Sequence, residues 1–267
     1  MEQPKNNLKI VADKKSARML LPNMLTLIGV CIGLTSIRFA LDGRFELAII
    51  AIMFAALIDG LDGRIARLIK GTSKVGKELD SLTDMISFGV APAFIMYFWK
   101  LDTLGRFGWL LCLVFVICVA LRLARFNINS NQEPSWRDNF FEGVPSPAGG
   151  ILVLTPLIIS LSGFDFFQLN YDIIVPIFFV TTSFLLISKF PSYSFKKIVI
   201  RRRTTIFLLF GIVLFFGLLL VYTFNVIAIS AIVYLLLLPI SYVHYQKIKN
   251  KHEKDKIQDE DDLEDVL

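Results

Sequence analysis

Cysteine and histidine are scarce in this chain, and each scarcity closes off a class of chemistry. The three cysteines, Cys31, Cys112 and Cys118, lie inside apolar stretches without the spacing of a metal site, so a disulfide framework is not expected and they read as small packing residues. The two histidines, His244 and His252, fall at the end of the last apolar run and beyond it, where solvated positions are expected. The first nineteen residues are polar and basic, with no short apolar core and small-residue cleavage site, so no cleaved signal peptide is expected. Also missing is the polar content of a soluble domain: 55% of the 267 residues are hydrophobic, and the mean hydropathy is +0.62. A net charge of +5 does not point to nucleic acid, because the charges sit between apolar segments.

What is present is a series of apolar runs, near residues 20–41, 45–58, 85–99, 107–121, 148–163, 173–188, 204–222 and 225–243. Several are shorter than the ~20 residues a spanning helix needs, but those beside charged stretches can extend as helices past the hydrocarbon. The expected fold is therefore all-α: a polytopic integral membrane helical bundle of about eight transmembrane helices. All of the 28 Lys and Arg residues except Arg38, Arg44, Lys100 and Arg106 fall on one set of alternating connections and the two ends. Under the positive-inside rule that bias makes both termini cytosolic. Three regions follow: a basic segment over 1–19, read either as an interfacial segment on anionic lipid or as a disordered tail; a membrane domain over 20–246; and a charged, disordered tail over 247–267.

One stretch stands apart. Between the second and third runs lie four carboxylates, Asp59, Asp62, Asp80 and Asp84. Ionisable groups at such positions are costly and usually face the protein interior or a water-filled cavity. Asp59 and Asp62 are three apart, and Asp80 and Asp84 four apart, so on helices each pair shares a face. The intervening KGTSK can turn the chain and bring the faces together. Clustered carboxylates repel unless a cation sits among them, and oxygen donors of this kind suit Mg²⁺ or Mn²⁺. Arg64, Arg67, Lys70, Lys74 and Lys77 surround the acids, as a phosphate-bearing ligand would require.

The pattern Asp59-Gly60-x-Asp62-Gly63-x2-Ala66-Arg67-x8-Gly76-x3-Asp80-x3-Asp84 resembles, without gap or substitution, the signature of the CDP-alcohol phosphatidyltransferases. Within that family, FGVAPA after Asp84, then LRLARFN, then FFEGVPSPAGG and SKFPSYSFKK, resemble the bacterial and archaeal phosphatidylserine synthases. Gly149-Gly150 departs from the pattern, which has alanines there more often. The resemblance covers residues 20 to about 200; the last two apolar runs match no motif and read as filler.

The resemblance implies phosphatidyl transfer from CDP-diacylglycerol to L-serine at the cytosolic face of a bacterial inner membrane, among membrane lipids. It assigns two divalent ions to Asp59, Asp62 and Asp80, with Asp84 divided between metal contact and general base. Gly63, Ala66, Arg67 and Gly76 would shape the cytidine and pyrophosphate pocket, with Asn23 and Thr26 facing it. Arg122 and Arg125, three apart on one face, are expected to hold phosphate or the serine carboxylate together with Lys196. Asn127, Glu142 and Ser146 offer polar groups nearby. Relatives point to a homodimer, whereas the residues leave monomer and dimer open. Other acceptors, namely glycerol 3-phosphate, inositol phosphate or choline, also stay open. A cation-coupled transporter would place its acids near the bilayer midplane, often in repeated halves, and no second copy of the motif is found.

Overall fold

The computed structural model describes residues 14–69, 71, 73–129, 140–163, 170–193 and 202–264. Helix dominates. Helix α1 (Lys14–Leu41) turns at Gly43, whose φ of 73° suits a residue without a side chain, into α2 (Phe45–Leu68). Ser73 then caps α3 (Lys74–Asp84), accepting from the Gly76 N–H at 2.9 Å. After Asp84 the helix widens into a π turn (Met85–Val90) and resumes as α4 (Ala91–Trp99). The sequence predicts a kink at Pro92. The π turn is how the chain takes it: Pro92 has no N–H to give, and Ala91 N–H reaches back five residues to the Ile86 carbonyl.

A short 3₁₀ turn (Leu101–Leu104) leads to α5 (Arg106–Asn129), and α6 (Ser146–Leu161), α7 (Tyr171–Ile187), α8 (Arg202–Val221) and α9 (Thr223–Glu264) complete the bundle. All eight expected apolar runs thus lie in helical segments. Four stretches, Leu20–Leu41, Lys74–Trp99, Arg106–Ile128 and Thr223–Ile248, are long and apolar enough to cross a bilayer by themselves, and α6, α7 and the Thr205–Val221 part of α8 are shorter apolar helices. The chain is a helical integral membrane protein. On α8 apolar side chains are exposed all round, the condition of a helix bathed in lipid.

Two features depart from the sequence reading. The polar, Gly- and Pro-rich connection before α6 reads in sequence as irregular and the one after α7 as a Pro-Ser-Tyr-Ser turn, but together they form a small antiparallel ladder: β1 (Phe140–Glu142) pairs with β2 (Pro191–Tyr193), with Phe141 opposite Ser192. Gly143, at φ 77°, locks it, donating its N–H to the Phe190 carbonyl and accepting from Ser192 Oγ at 2.8 Å. The bundle is thus helical with one two-stranded ladder, and the partners lie too far apart in sequence for local pattern to announce the pairing. Second, α9 continues to Glu264, past the point where a disordered tail is expected; Lys, Glu and Gln are good helix formers. Cys31 lies on the exposed face of α1, while Cys112 and Cys118 are buried as expected.

Buried Phe88, Phe115, Phe179, Ile52, Leu152 and Leu157 form the core, with Phe115 on α5 meeting Phe179 on α7 edge to face at 5.6 Å. Glycines set the closest approaches. A Cβ at Gly33 would lie 2.5 Å from Ser87 Oγ and one at Gly29 3.4 Å from Thr83 Cγ2, so α1 rests directly on α3 and the π turn. A Cβ at Gly150 would lie 3.0 Å from the Phe88 carbonyl oxygen, so a glycine lets α6 approach the π turn there. Gly211 on α8 has nothing within 4 Å. Gly33→Val should therefore cost about 1–3 kcal/mol through overpacking, lowering the detergent-solubilised melting temperature by several degrees, while Gly211→Val leaves it within a degree or two.

Candidate active site

The two helices carrying the acids meet as their spacing predicts. Asp59 and Asp62 from α2 and Asp80 from α3 each present an oxygen within 4.8 Å of the others. Asp62 is buried, and its Oδ2 accepts a 2.7 Å hydrogen bond from Thr26 Oγ1 on α1. Above the acids the α2 surface is open: a Cβ at Gly60 or at Gly63 would meet nothing within 4 Å, so a ligand can approach the backbone there. Gly76 faces Asn23, whose Oδ1 lies 2.9 Å from where a Cβ would be, which brings the first turn of α3 against α1 at the edge of the site. Arg67 is exposed, donating from Nε to the Gly63 carbonyl at 3.1 Å, and Ala66 is half-buried on the same helix.

Asp84 stands beside this trio. It is 9% exposed, and its Oδ2 accepts from Ser146 Oγ at 3.0 Å, while Ser146 Oγ accepts from Arg122 Nη1. Its Oδ1 is fully buried yet has no donor among the described residues, and its carboxylate lies within interacting reach of Asp59. A buried carboxylate oxygen that faces another carboxylate and has no donor is a strong debit in free energy. A divalent cation among these oxygens removes it. The donor set is all oxygen, as hard divalent cations prefer, so the residues present fit a divalent-cation site.

The sequence of residues 19–186 matches the sequence model of CDP-alcohol phosphatidyltransferases. The chain belongs to the CDP-alcohol phosphatidyltransferase family. Among the curated members, a Mycobacterium leprae protein named CDP-diacylglycerol–serine O-phosphatidyltransferase is 43% identical over 176 residues, covering 64% of this chain and 57% of that protein. Proteins of the same name from Helicobacter pylori strain 26695 and Bacillus subtilis strain 168 are 38% identical over 179 residues and 34% identical over 177, covering 74% and 92% of their lengths. The chain spans about half the length of the mycobacterial relatives it matches, 57% and 50% of two of them.

Of the residues expected from sequence to line the site, the acids, Asn23, Thr26, Gly63 and Gly76 converge. The arginine pair does not act together. Arg122 is 8% exposed and turned inward onto Ser146, while Arg125 donates to the carbonyl of Ile187 at 2.7 Å, filling one of the vacant acceptors at the end of α7. Asn127 bonds Ser81 on α3. Lys196 lies outside the described residues, and Glu142 is placed only through the backbone pairing of β1.

Sequence alone makes α9 look like filler, and two groups there carry no signal in it: Tyr234 and Ser241 turn buried hydroxyls inward, Tyr234 toward Ser192, and Ser241 has no hydrogen-bond partner among the described residues. Tyr234 also borders an apolar recess of about 180 Å³ among α2, α6, α8 and α9, lined in part by Met53, Leu152, Phe215 and Leu219. An isolated tyrosine in an apolar run carries no periodic signal that could have distinguished it. Because Thr26 orients Asp62, Thr26→Val should weaken Mn²⁺ binding on the order of tenfold in a calorimetric titration, with helical content unchanged.

Proposed function

We propose that this protein transfers the phosphatidyl group of CDP-diacylglycerol to the side-chain hydroxyl of L-serine, giving phosphatidylserine and CMP. The observation that carries this reading is the trio of Asp59, Asp62 and Asp80 with the free Oδ1 of Asp84 at its edge. Membership of the family and relatives named for serine as acceptor support it. In this reading Asp59, Asp62, Asp80 and one face of Asp84 hold two divalent ions, Mg²⁺ or Mn²⁺, which when bound neutralise charge that develops on the diphosphate oxygens.

The protein's own residues do the rest. Gly60 and Gly63 leave room for the diphosphate against the α2 backbone, and Ala66, Arg67, Gly76, Asn23 and Thr26 border the nucleotide. Asp84 takes the hydroxyl proton of serine through Oδ1. The serine oxygen then forms its bond to the phosphorus bearing diacylglycerol, and the bond from that phosphorus to the oxygen of CMP breaks, CMP leaving with the electron pair. Burial of Arg122 behind Asp84 puts a fixed positive charge close to the base and the acceptor.

Eight spans with both termini and the acid cluster on the cytosolic side of a bacterial inner membrane complete the proposal, supported by the alternation of Lys and Arg along the sequence. Serine and CMP would then exchange with the cytosol, while acyl chains lie between the helices.

Purified protein in mixed micelles should incorporate radiolabelled serine into lipid only when CDP-diacylglycerol and Mg²⁺ or Mn²⁺ are both present. Incorporation from glycerol 3-phosphate, inositol phosphate or choline in its place would overturn the choice of acceptor. Asp84→Asn should keep fold and CDP binding and lose turnover by ~10²–10⁴-fold. A near-normal rate for that variant would remove Asp84 from the base role.

A further inference from the structure

Ser146 is a buried hydroxyl between an arginine and an aspartate on three different helices, and hydrogen-bond chemistry fixes which way its proton points. Arginine only donates. Since Arg122 Nη1 gives its hydrogen to Ser146 Oγ, the hydroxyl's own proton is left for Asp84 Oδ2, 3.0 Å away. A carboxylate has two equivalent oxygens until something distinguishes them. Here Oδ2 is engaged, while Oδ1 is buried and meets no hydrogen-bond donor among the described residues.

The backbone at Ser146 is held on both sides. Pro145 and Pro147 restrict it, Gly149 N–H closes the first turn of α6 onto the Pro145 carbonyl at 2.9 Å, and Val144 N–H donates to the Leu185 carbonyl at 3.3 Å. The β1–β2 ladder anchors the chain just before it. The hydroxyl is thus presented by a rigid element, as a group that orients another side chain requires.

We propose that Ser146 is a positioning residue: backed by Arg122, it holds Asp84 by Oδ2 so that Oδ1 faces the cation site and the acceptor hydroxyl. It touches neither substrate nor cation and acts only through Asp84. Arg122 is, on this view, the anchor of the aspartate's orientation before it is a ligand for any phosphate. The role of the acceptor hydroxyl rests on the proposed transfer to serine, but the orientation of Asp84 toward cations does not.

The test therefore has an arm without acceptor. Mn²⁺ binding to the full-length protein, followed by electron paramagnetic resonance with no lipid or serine added, should weaken on the order of 10–100-fold in Ser146→Ala and stay within about threefold in Ser146→Thr, which keeps the hydroxyl. Turnover by CMP release should fall over the same range in Ser146→Ala, with the KM for the acceptor within about threefold, and Ser146→Thr should restore it. In the Asp84→Asn background, Ser146→Ala should weaken Mn²⁺ binding no further, because its effect runs through the aspartate. If Ser146→Ala is not monodisperse in detergent, the near-isosteric Ser146→Cys, a weak donor, carries the same comparison. Wild-type Mn²⁺ affinity and turnover in Ser146→Ala, or an equal loss of affinity with and without Asp84, would overturn the proposal. Failure of serine as acceptor would instead show as absent label incorporation, with the Mn²⁺ differences intact.

Discussion

Mutual repulsion among carboxylates held within 4.8 Å of one another is the constraint that the rest of this structure answers. At that separation, in the low-dielectric surroundings of a helical bundle, like charges do not come together unless the backbone forces them and other groups compensate. The forcing comes from α2 and α3, joined by a short link that Ser73 caps. The compensation comes from elsewhere: Thr26 from α1 on Asp62, and Ser146 from α6 with Arg122 from α5 on Asp84. Each of the helices around the acids therefore contributes either a carboxylate or a group that steadies one.

Packing keeps those contributions in register. Gly33 lets α1 lie on the π turn beside Ser87, and Gly150 lets α6 approach the Phe88 carbonyl. The π turn follows Asp84 directly, so the same region that accommodates Pro92 also sets how Asp84 enters the site. Interiors this dense tolerate little volume change, and a displacement of α1 or α6 by a single methyl group is felt at the carboxylates.

How much of this was legible in the sequence follows from how far apart the interacting residues are. Asp59 with Asp62 and Asp80 with Asp84 are local pairs, and helical spacing alone makes them share faces. Apolar runs announced the membrane helices for the same reason. The two arginines at 122 and 125 looked like one phosphate clamp because spacing says nothing about what lies opposite: one met Ser146, the other the end of α7. The β1–β2 ladder joins segments separated by the whole of α6 and α7, and the inward hydroxyls of α9 sit in a run whose composition is that of any lipid-facing helix. In each case the deciding partner is a tertiary neighbour, which no window along the chain contains.

The order of these elements along the chain also bears on biogenesis. A polypeptide inserted from its N-terminus completes the acidic wall once Asp84 has been made, whereas Arg122 arrives only with α5 and Ser146 only with α6. During that interval the nascent protein carries four clustered acids with Thr26 in place but neither Arg122 nor Ser146. Ions captured from the surrounding water, or protons, are the means available to a half-made bundle for keeping α2 and α3 side by side until the remaining helices close over them.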